Sequence, residues 1–208
     1  LGVRRVVLLG SAEEYGAQDG PLREDMPLRP LTFYGITKAA ATSLALAMHA
    51  AGGCPAVILR PFTVYGPGQP KDMFVAEAVE AAVAGEPFRM SQGEQRRDFI
   101  YVQDLVEALL ASALAPGLEG HVVNVGTGRA RRLRDVAERI WQLTGSTAPL
   151  LVGARPASPH QLHDTWADTS AARRLLGWQP RVELDQGLAE AIEWCRMSRR
   201  SLGAGLVR

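Results

Sequence analysis

The sequence predicts an α/β fold built on a parallel sheet, and three observations carry that reading. Arg4-Arg5-Val6-Val7-Leu8-Leu9 and Ala56-Val57-Ile58-Leu59-Arg60 are short apolar runs rich in branched residues, the pattern of strands buried on both faces. Between them, from about Phe33 to Ala51, lies an Ala/Leu-rich run of helical length. Strand, helix and strand in that order imply a parallel crossover.

Each element follows from local chemistry. The first strand stops at Gly10, and Ser11 to Pro30 reads as loop, punctuated by Gly16, Gly20, Pro21, Pro27 and Pro30. Thr32 is placed to cap the long helix, and Gly52-Gly53 to end it. After the second strand, Pro61 to Gln69 contains Pro61, Gly66, Pro67 and Gly68, which predicts a loop. Phe74 to Ala84 is helical by periodicity and ends at Gly85; Pro87 to Gln95 is an extended piece and a turn. Asp104 is expected to cap the next helix, and His121 to Val125 to form a third strand. Helices are expected at Leu133 to Leu143, Ser170 to Leu176 and Leu184 to about Met197, with a frayed end from Ser198 to Arg208.

At 208 residues with 47% hydrophobic content, the chain can bury a core in one or two domains. A net charge of +1 gives no reason to expect nucleic acid or a membrane surface as partner, and no stretch approaches the roughly 18 apolar residues of a spanning helix. Val6 to Leu9 is followed at once by Gly10, Ser11 and, after Ala12, two glutamates, unlike a signal peptide. Cys54 and Cys195 are isolated, with neither metal-ligand spacing nor a disulfide framework. That fits a cytoplasmic location, and no metal site is expected.

The chemistry concentrates at Thr32-Phe33-Tyr34-Gly35-Ile36-Thr37-Lys38. Residues four apart share a helix face, so Tyr34 and Lys38 stand together in its first turns. A free tyrosine ionises near pH 10, and bringing that to about 7 takes roughly 4 kcal/mol, which a desolvated cation helps to supply. Ser11 lies at the carboxyl end of the first strand, the edge where open α/β sheets bind ligands. From there a hydroxyl can donate to a substrate oxygen while Tyr34 exchanges a proton.

Six blocks in this order carry a resemblance. They are Ser11-x-x-x-Tyr15-Gly16, Tyr34-x-x-x-Lys38, Arg60 to Gln69, Arg97 to Asp104, Asn124-Val125-Gly126-Thr127-Gly128, and Ala167 to Pro180. Together they resemble the extended short-chain dehydrogenase/reductases of the NAD-dependent epimerase/dehydratase family, which modify nucleotide sugars. The resemblance implies an incomplete Rossmann-type parallel sheet with a smaller, mostly helical C-terminal substrate domain. Residues 1–68 would form the C-terminal part of the Rossmann-type domain; residues 69–208 would be mainly substrate-binding, with about 97–127 returning to the first domain.

By the same resemblance Tyr34 is the acid/base, Lys38 tunes it and binds the nicotinamide ribose, and Ser11 orients the sugar. Leu9, Gly10, Pro61 and Phe62 would line the nicotinamide of NAD or NADP. A nucleotide sugar is the implied substrate, touched by Thr63, Phe88, Met90, Arg97 and Arg155; Thr63 stands where most relatives carry an asparagine. Arg97 and Arg155 would meet the diphosphate, as guanidinium groups suit phosphate oxygens. The reaction implied is epimerisation or 4-ketoreduction at C4. Glu13 keeps a dehydratase open, since it holds the position of a second acid or base in members that eliminate water. The complete Asp-Glu pair is absent, and Glu13-Glu14-Tyr15-Gly16 looks most like reductases of GDP-4-keto-6-deoxymannose. A non-catalytic nucleotide-sugar-binding paralogue or fragment is the rival class. Homodimerisation through long helices, including the one bearing Tyr34, is implied as well.

Gly126-Thr127-Gly128 imitates a dinucleotide fingerprint, but Arg131 fills the third glycine position, so a structural turn is expected. No Gly-x-x-Gly-x-x-Gly follows the first strand. Family members carry about a hundred residues before that strand, with the pyrophosphate site. The expectation is therefore the C-terminal part of a longer polypeptide, binding NAD poorly by itself.

Overall fold

The structure, a computed structural model, describes residues 2–156 and 164–205. The chain runs β1 (Val6–Leu9), a 3-10 turn (Ala12–Glu14), α1 (Phe33–Ala50), β2 (Ala56–Pro61), β3 (Thr63–Tyr65), α2 (Phe74–Ala84), β4 (Phe88–Met90) and β5 (Arg96–Tyr101). It continues with α3 (Val102–Leu114), β6 (Val122–Val125), β7 (Ala130–Arg132), α4 (Leu133–Thr144), β8 (Leu150–Val152), α5 (Ser170–Leu176) and α6 (Leu184–Gly205). The sheets have the orders β1-β2-β6, β3-β5-β7 and β4-β8. The chain divides into two compact units: residues 1–64, 95–130 and 159–181, and residues 65–94, 131–158 and 182–208.

In the first unit β1 and β6 both run parallel to β2, with Leu9 opposite Leu59 and Val125 opposite Pro61. As the middle strand, β2 has Ala56, Val57, Ile58 and Leu59 wholly buried, which is why its sequence is an unbroken apolar run. Val57 and Leu59 pack with Ile100, Leu105, Val123, Val125 and Trp178 in the main core. The α/β fold with a parallel sheet is thus the one expected from the sequence. Thr32 caps α1 as expected, its side chain accepting from the Gly35 amide at 2.9 Å.

Three local expectations need correction, and strands form where none was expected. The Pro61 to Gln69 segment contains a strand, β3, before its glycines. Arg96–Tyr101 is also a strand, hidden in the sequence by the charges at its start. Asp104 does not cap α3: the helix begins at Val102, and the buried Asp104 carboxylate accepts the Arg181 amide at 2.9 Å. The C-terminal helix does not end near Met197 but runs to Gly205; residues 206–208 of the expected frayed end lie outside the described residues. The turn after β6 is structural, as expected. Buried Asp98 takes the amides of Thr127 and Gly128 at 2.8 Å, together with the Thr127 hydroxyl and the Ala167 amide. Burial pushes this carboxyl above the usual Asp range, and its donors oppose the shift.

In the second unit α2, α4 and α6 pack on one another, and β4 pairs parallel with β8, Phe88 opposite Leu150 and Met90 opposite Val152. Among the described residues, no helix is long and apolar enough to cross a membrane.

Candidate active site

The site begins where β1 ends. The Gly10 amide donates to the Leu59 carbonyl at 2.8 Å and carries the chain off the carboxyl edge of the sheet. Only glycine fits there, because a Cβ on Gly10 would lie 2.3 Å from Glu14 Oε1. Ser11 then caps the 3-10 turn: its Oγ accepts the Glu13 amide at 3.1 Å, and its own amide donates to Glu14 Oε1 at 2.9 Å. This reciprocal capping box fixes the serine in a buried position. The Ser11 hydroxyl is here an acceptor, so its proton is still available to a ligand oxygen.

The turn lies against the first part of α1. A Cβ on Gly35 would sit 2.7 Å from the Glu13 carbonyl oxygen, so the approach requires glycine. The Thr32 hydroxyl, already accepting from Gly35, donates to Glu13 Oε2 at 2.6 Å. One turn on, Lys38 Nζ donates to the Leu9 carbonyl at 2.8 Å and stands 5.6 Å from the centroid of the Tyr34 ring, within the range where a cation is attracted to an aromatic face. Tyr34 itself is 52% exposed. Contacts therefore link Ser11, Glu13, Tyr34 and Lys38 with Leu9 and Gly10, and the lysine joins the helix face to the strand edge.

Behind this surface lies a buried polar hub that the sequence reading missed. Glu14 and Arg60 are 0% and 3% exposed, and Arg60 Nε donates to Glu14 Oε2 at 2.9 Å. Arg60 also donates to the Tyr15 hydroxyl at 3.0 Å, and that hydroxyl donates to Asn124 Oδ1 at 2.7 Å. Burial raises the Tyr15 phenol above its ordinary pKa, with the Arg60 charge opposing. Tyr15 is therefore a neutral hydrogen-bonding group, whereas Tyr34 faces solvent. Glu24 accepts the Asn124 amide at 2.8 Å, and burial raises its carboxyl too. The sequence signal for the hub was slight: a charged residue closing an apolar strand, and a second glutamate beside Glu13.

The remaining expected residues divide between the units. Phe62 is buried beside Ala12, Tyr15 and Leu22, and its amide donates to the Val125 carbonyl at 2.9 Å. Pro61 closes β2, and Thr63, half-buried, opens β3. Arg97 is half-buried; burial pulls its guanidinium below the ordinary arginine value, and the charges of Asp164 and Glu13 oppose that. It is thus electrostatically coupled to the same glutamate that Thr32 holds. Phe88, Met90 and Arg155 belong to the second unit. Phe88 and Met90 are buried, Phe88 meeting Phe74 edge-on at 6.1 Å and Trp141 at 5.9 Å. The exposed Arg155 pairs with Glu77 through both terminal nitrogens, at 2.7 and 3.3 Å.

Comparison with known proteins points the same way. Residues 1–126 match the family model described as the NAD dependent epimerase/dehydratase family. A Bacillus subtilis (strain 168) protein named as the uncharacterized UDP-glucose epimerase YtcB is 33% identical over 92% of this chain and 60% of its own length. UDP-glucuronate 4-epimerase of Thermodesulfobacterium geofontis is 30% identical, over 94% of this chain and likewise 60% of its length. The solved structure of MoeE5 in complex with UDP-glucuronic acid and NAD superposes with a TM-score of 0.89 at 42% identity, covering 95% of this chain and 66% of that one. The chain thus spans about 60% of the length of these curated relatives.

Proposed function

The chain belongs to the NAD-dependent epimerase/dehydratase family, and on that premise we propose that it carries the acid/base site of an enzyme inverting C4 of a UDP-sugar with NAD as cofactor. One observation carries the reading: the Lys38 ammonium bridges the Leu9 carbonyl and the Tyr34 ring. The lysine thereby joins phenol, ammonium and strand edge in one acid/base unit. Similarity to a relative named as a UDP-glucuronate 4-epimerase, and to a structure holding UDP-glucuronic acid and NAD, supports the substrate class.

The residues present suit the nicotinamide end of NAD. Leu9 and Gly10 offer backbone at the carboxyl edge of a parallel sheet, Phe62 gives an apolar wall, and Lys38 retains donors beyond the one spent on Leu9. Bound NAD supplies the hydride acceptor and donor. Tyr34 would take the C4 hydroxyl proton as the C4 hydrogen leaves with its electron pair, and the Ser11 hydroxyl would donate a hydrogen bond to the developing ketone oxygen while keeping its proton. When hydrogen returns to the opposite face, Tyr34 gives the proton back and the centre is inverted. In this reading residues 1–68 belong to the cofactor domain, and Thr63 and Arg97 are substrate contacts within the first unit. Homodimerisation belongs to the proposal too, supported by the exposed Phe33, Ile36, Leu44 and Met48 of α1.

Elimination of water is a second reading, favoured by the Glu13 carboxylate, which lies two residues before Tyr15 and accepts from the Thr32 hydroxyl at 2.6 Å. Screening UDP-, GDP-, CDP- and dTDP-sugars against the full-length protein by saturation-transfer NMR, with product analysis, decides among these. The expected result is selective binding of UDP-sugars and appearance of the C4 epimer. A product lighter by one water supports elimination; binding without any turnover in the presence of NAD contradicts the enzyme reading.

A further inference from the structure

The second carboxylate of the Glu13-Glu14 pair has no place in the acid/base chemistry, yet its bonds reach three separate elements. Glu14 Oε1 accepts the Ser11 amide at 2.9 Å and the Thr42 hydroxyl at 3.1 Å, and Oε2 accepts Arg60 Nε at 2.9 Å. Ser11 opens the 3-10 turn, Thr42 is the buried polar residue of α1, and Arg60 lies next to Pro61 at the end of β2. The three groups therefore converge on one side chain that solvent does not reach.

We propose that Glu14 is a positioning residue: its carboxylate sets the place of Ser11 relative to the helix that bears Tyr34 and Lys38. The proposal rests on the acid/base reading given above. Its physical basis is the shared oxygen Oε1. Ser11 and Thr42 donate to one atom, so displacing either donor strains the bond of the other, and the charge of Arg60 holds the carboxylate from behind. Thr42 stands at the i+4 position from Lys38, so the clamp fastens α1 about one turn beyond its reactive residues. Gly10 shows how closely the carboxylate is seated, since not even a methyl group fits between it and the strand end. Its neighbour Glu13 clamps the same turn to the start of α1 through Thr32. The pair thus seats the serine turn at two points along one helix.

Glu14→Gln tests this directly. The amide can face Ser11 and Thr42 with its oxygen only by turning its NH2 toward Arg60, so two donors oppose each other and the clamp slackens. In the full-length protein we expect kcat to fall about 10- to 100-fold with KM for the nucleotide sugar within about threefold, as for a misplaced reacting group. The decisive readout is coupling to Ser11. In a Ser11→Ala background, Glu14→Gln should cost almost nothing further, because its effect passes through the serine; losses that multiply instead overturn the proposal. If Glu14→Gln does not fold, Thr42→Val decides, since it leaves the Arg60 pair intact. We expect it to lower kcat by about three- to tenfold and to show the same non-additivity. Wild-type kcat in Thr42→Val contradicts the clamp. Tyr34→Phe is run alongside: its retained turnover would overturn the acid/base reading and this proposal together, whereas an inactive Tyr34→Phe with an additive Ser11–Glu14 pair overturns the clamp alone.

Discussion

Removing the positive half of the buried hub should be far more damaging than removing the whole pair. In Arg60→Met the Glu14 carboxylate, 0% exposed, keeps the Ser11 and Thr42 donors but loses its counter-charge at 2.9 Å, and Tyr15 loses the guanidinium donor at 3.0 Å. An uncompensated buried charge costs about 3–5 kcal/mol. At about 2–4 °C per kcal/mol for a chain of this size, melting should fall by roughly 6–20 °C. Adding Glu14→Gln removes the stranded charge while an amide oxygen still accepts from Ser11 and Thr42, so the double variant should recover about 2 kcal/mol or more. Thermal unfolding followed by circular dichroism, with urea titration of the four proteins of the cycle, measures the coupling. An Arg60→Met variant within about 1 kcal/mol of the parent, or no recovery in the double variant, refutes the reasoning.

Other consequences are quickly checked. Gly10→Ala places a methyl 2.3 Å from the pinned Glu14 oxygen, and should cost about 1–3 kcal/mol by overpacking; an unchanged melting point would mean that the carboxylate is loosely held. Lys38→Met keeps the stem but loses the bond to the Leu9 carbonyl, and should lower kcat about 100-fold, within the range for loss of one group from an acid/base site; full turnover would remove the lysine from the mechanism. The Cys195 thiol donates to Glu80, and burial pushes its pKa to about 11, leaving roughly one molecule in a thousand as reactive thiolate at pH 8. Alkylation at that pH should therefore label the half-buried Cys54 well before Cys195, and equal rates contradict the assignment. Calorimetric titration of the 208-residue chain with NAD should give no micromolar binding, because its sequence has no Gly-x-x-Gly-x-x-Gly after the first strand to meet the pyrophosphate; tight binding would contradict this.

Much of this architecture was legible because it rests on periodicity and punctuation. The buried strand β2 is an unbroken apolar run, α1 starts at a threonine cap, and α2 stops at Gly85, which takes a left-handed φ of 71°. The Tyr34 and Lys38 pairing follows from helix geometry alone. Strand β5 escaped because Arg96, Arg97 and Asp98 mask its apolar end, and Asp98 is a buried acceptor that local pattern cannot distinguish from a surface charge. Asp104 misled for the same reason, since an aspartate near a helix start reads as a cap until the Arg181 amide is seen to reach it. The hub was the deepest omission. Glu14 and Arg60 are separated by 46 residues, and only the parallel crossover brings them together, so neither carries a local sign of its partner.

The central claim is that Tyr34 exchanges the proton at C4. Tyr34→Phe removes one hydroxyl from a half-exposed side chain, so the full-length variant should keep its melting temperature and its affinity for UDP-sugar. Turnover to the C4 epimer in the presence of NAD should fall by about 100-fold or more. Turnover at the parent rate in a folded Tyr34→Phe protein contradicts the account.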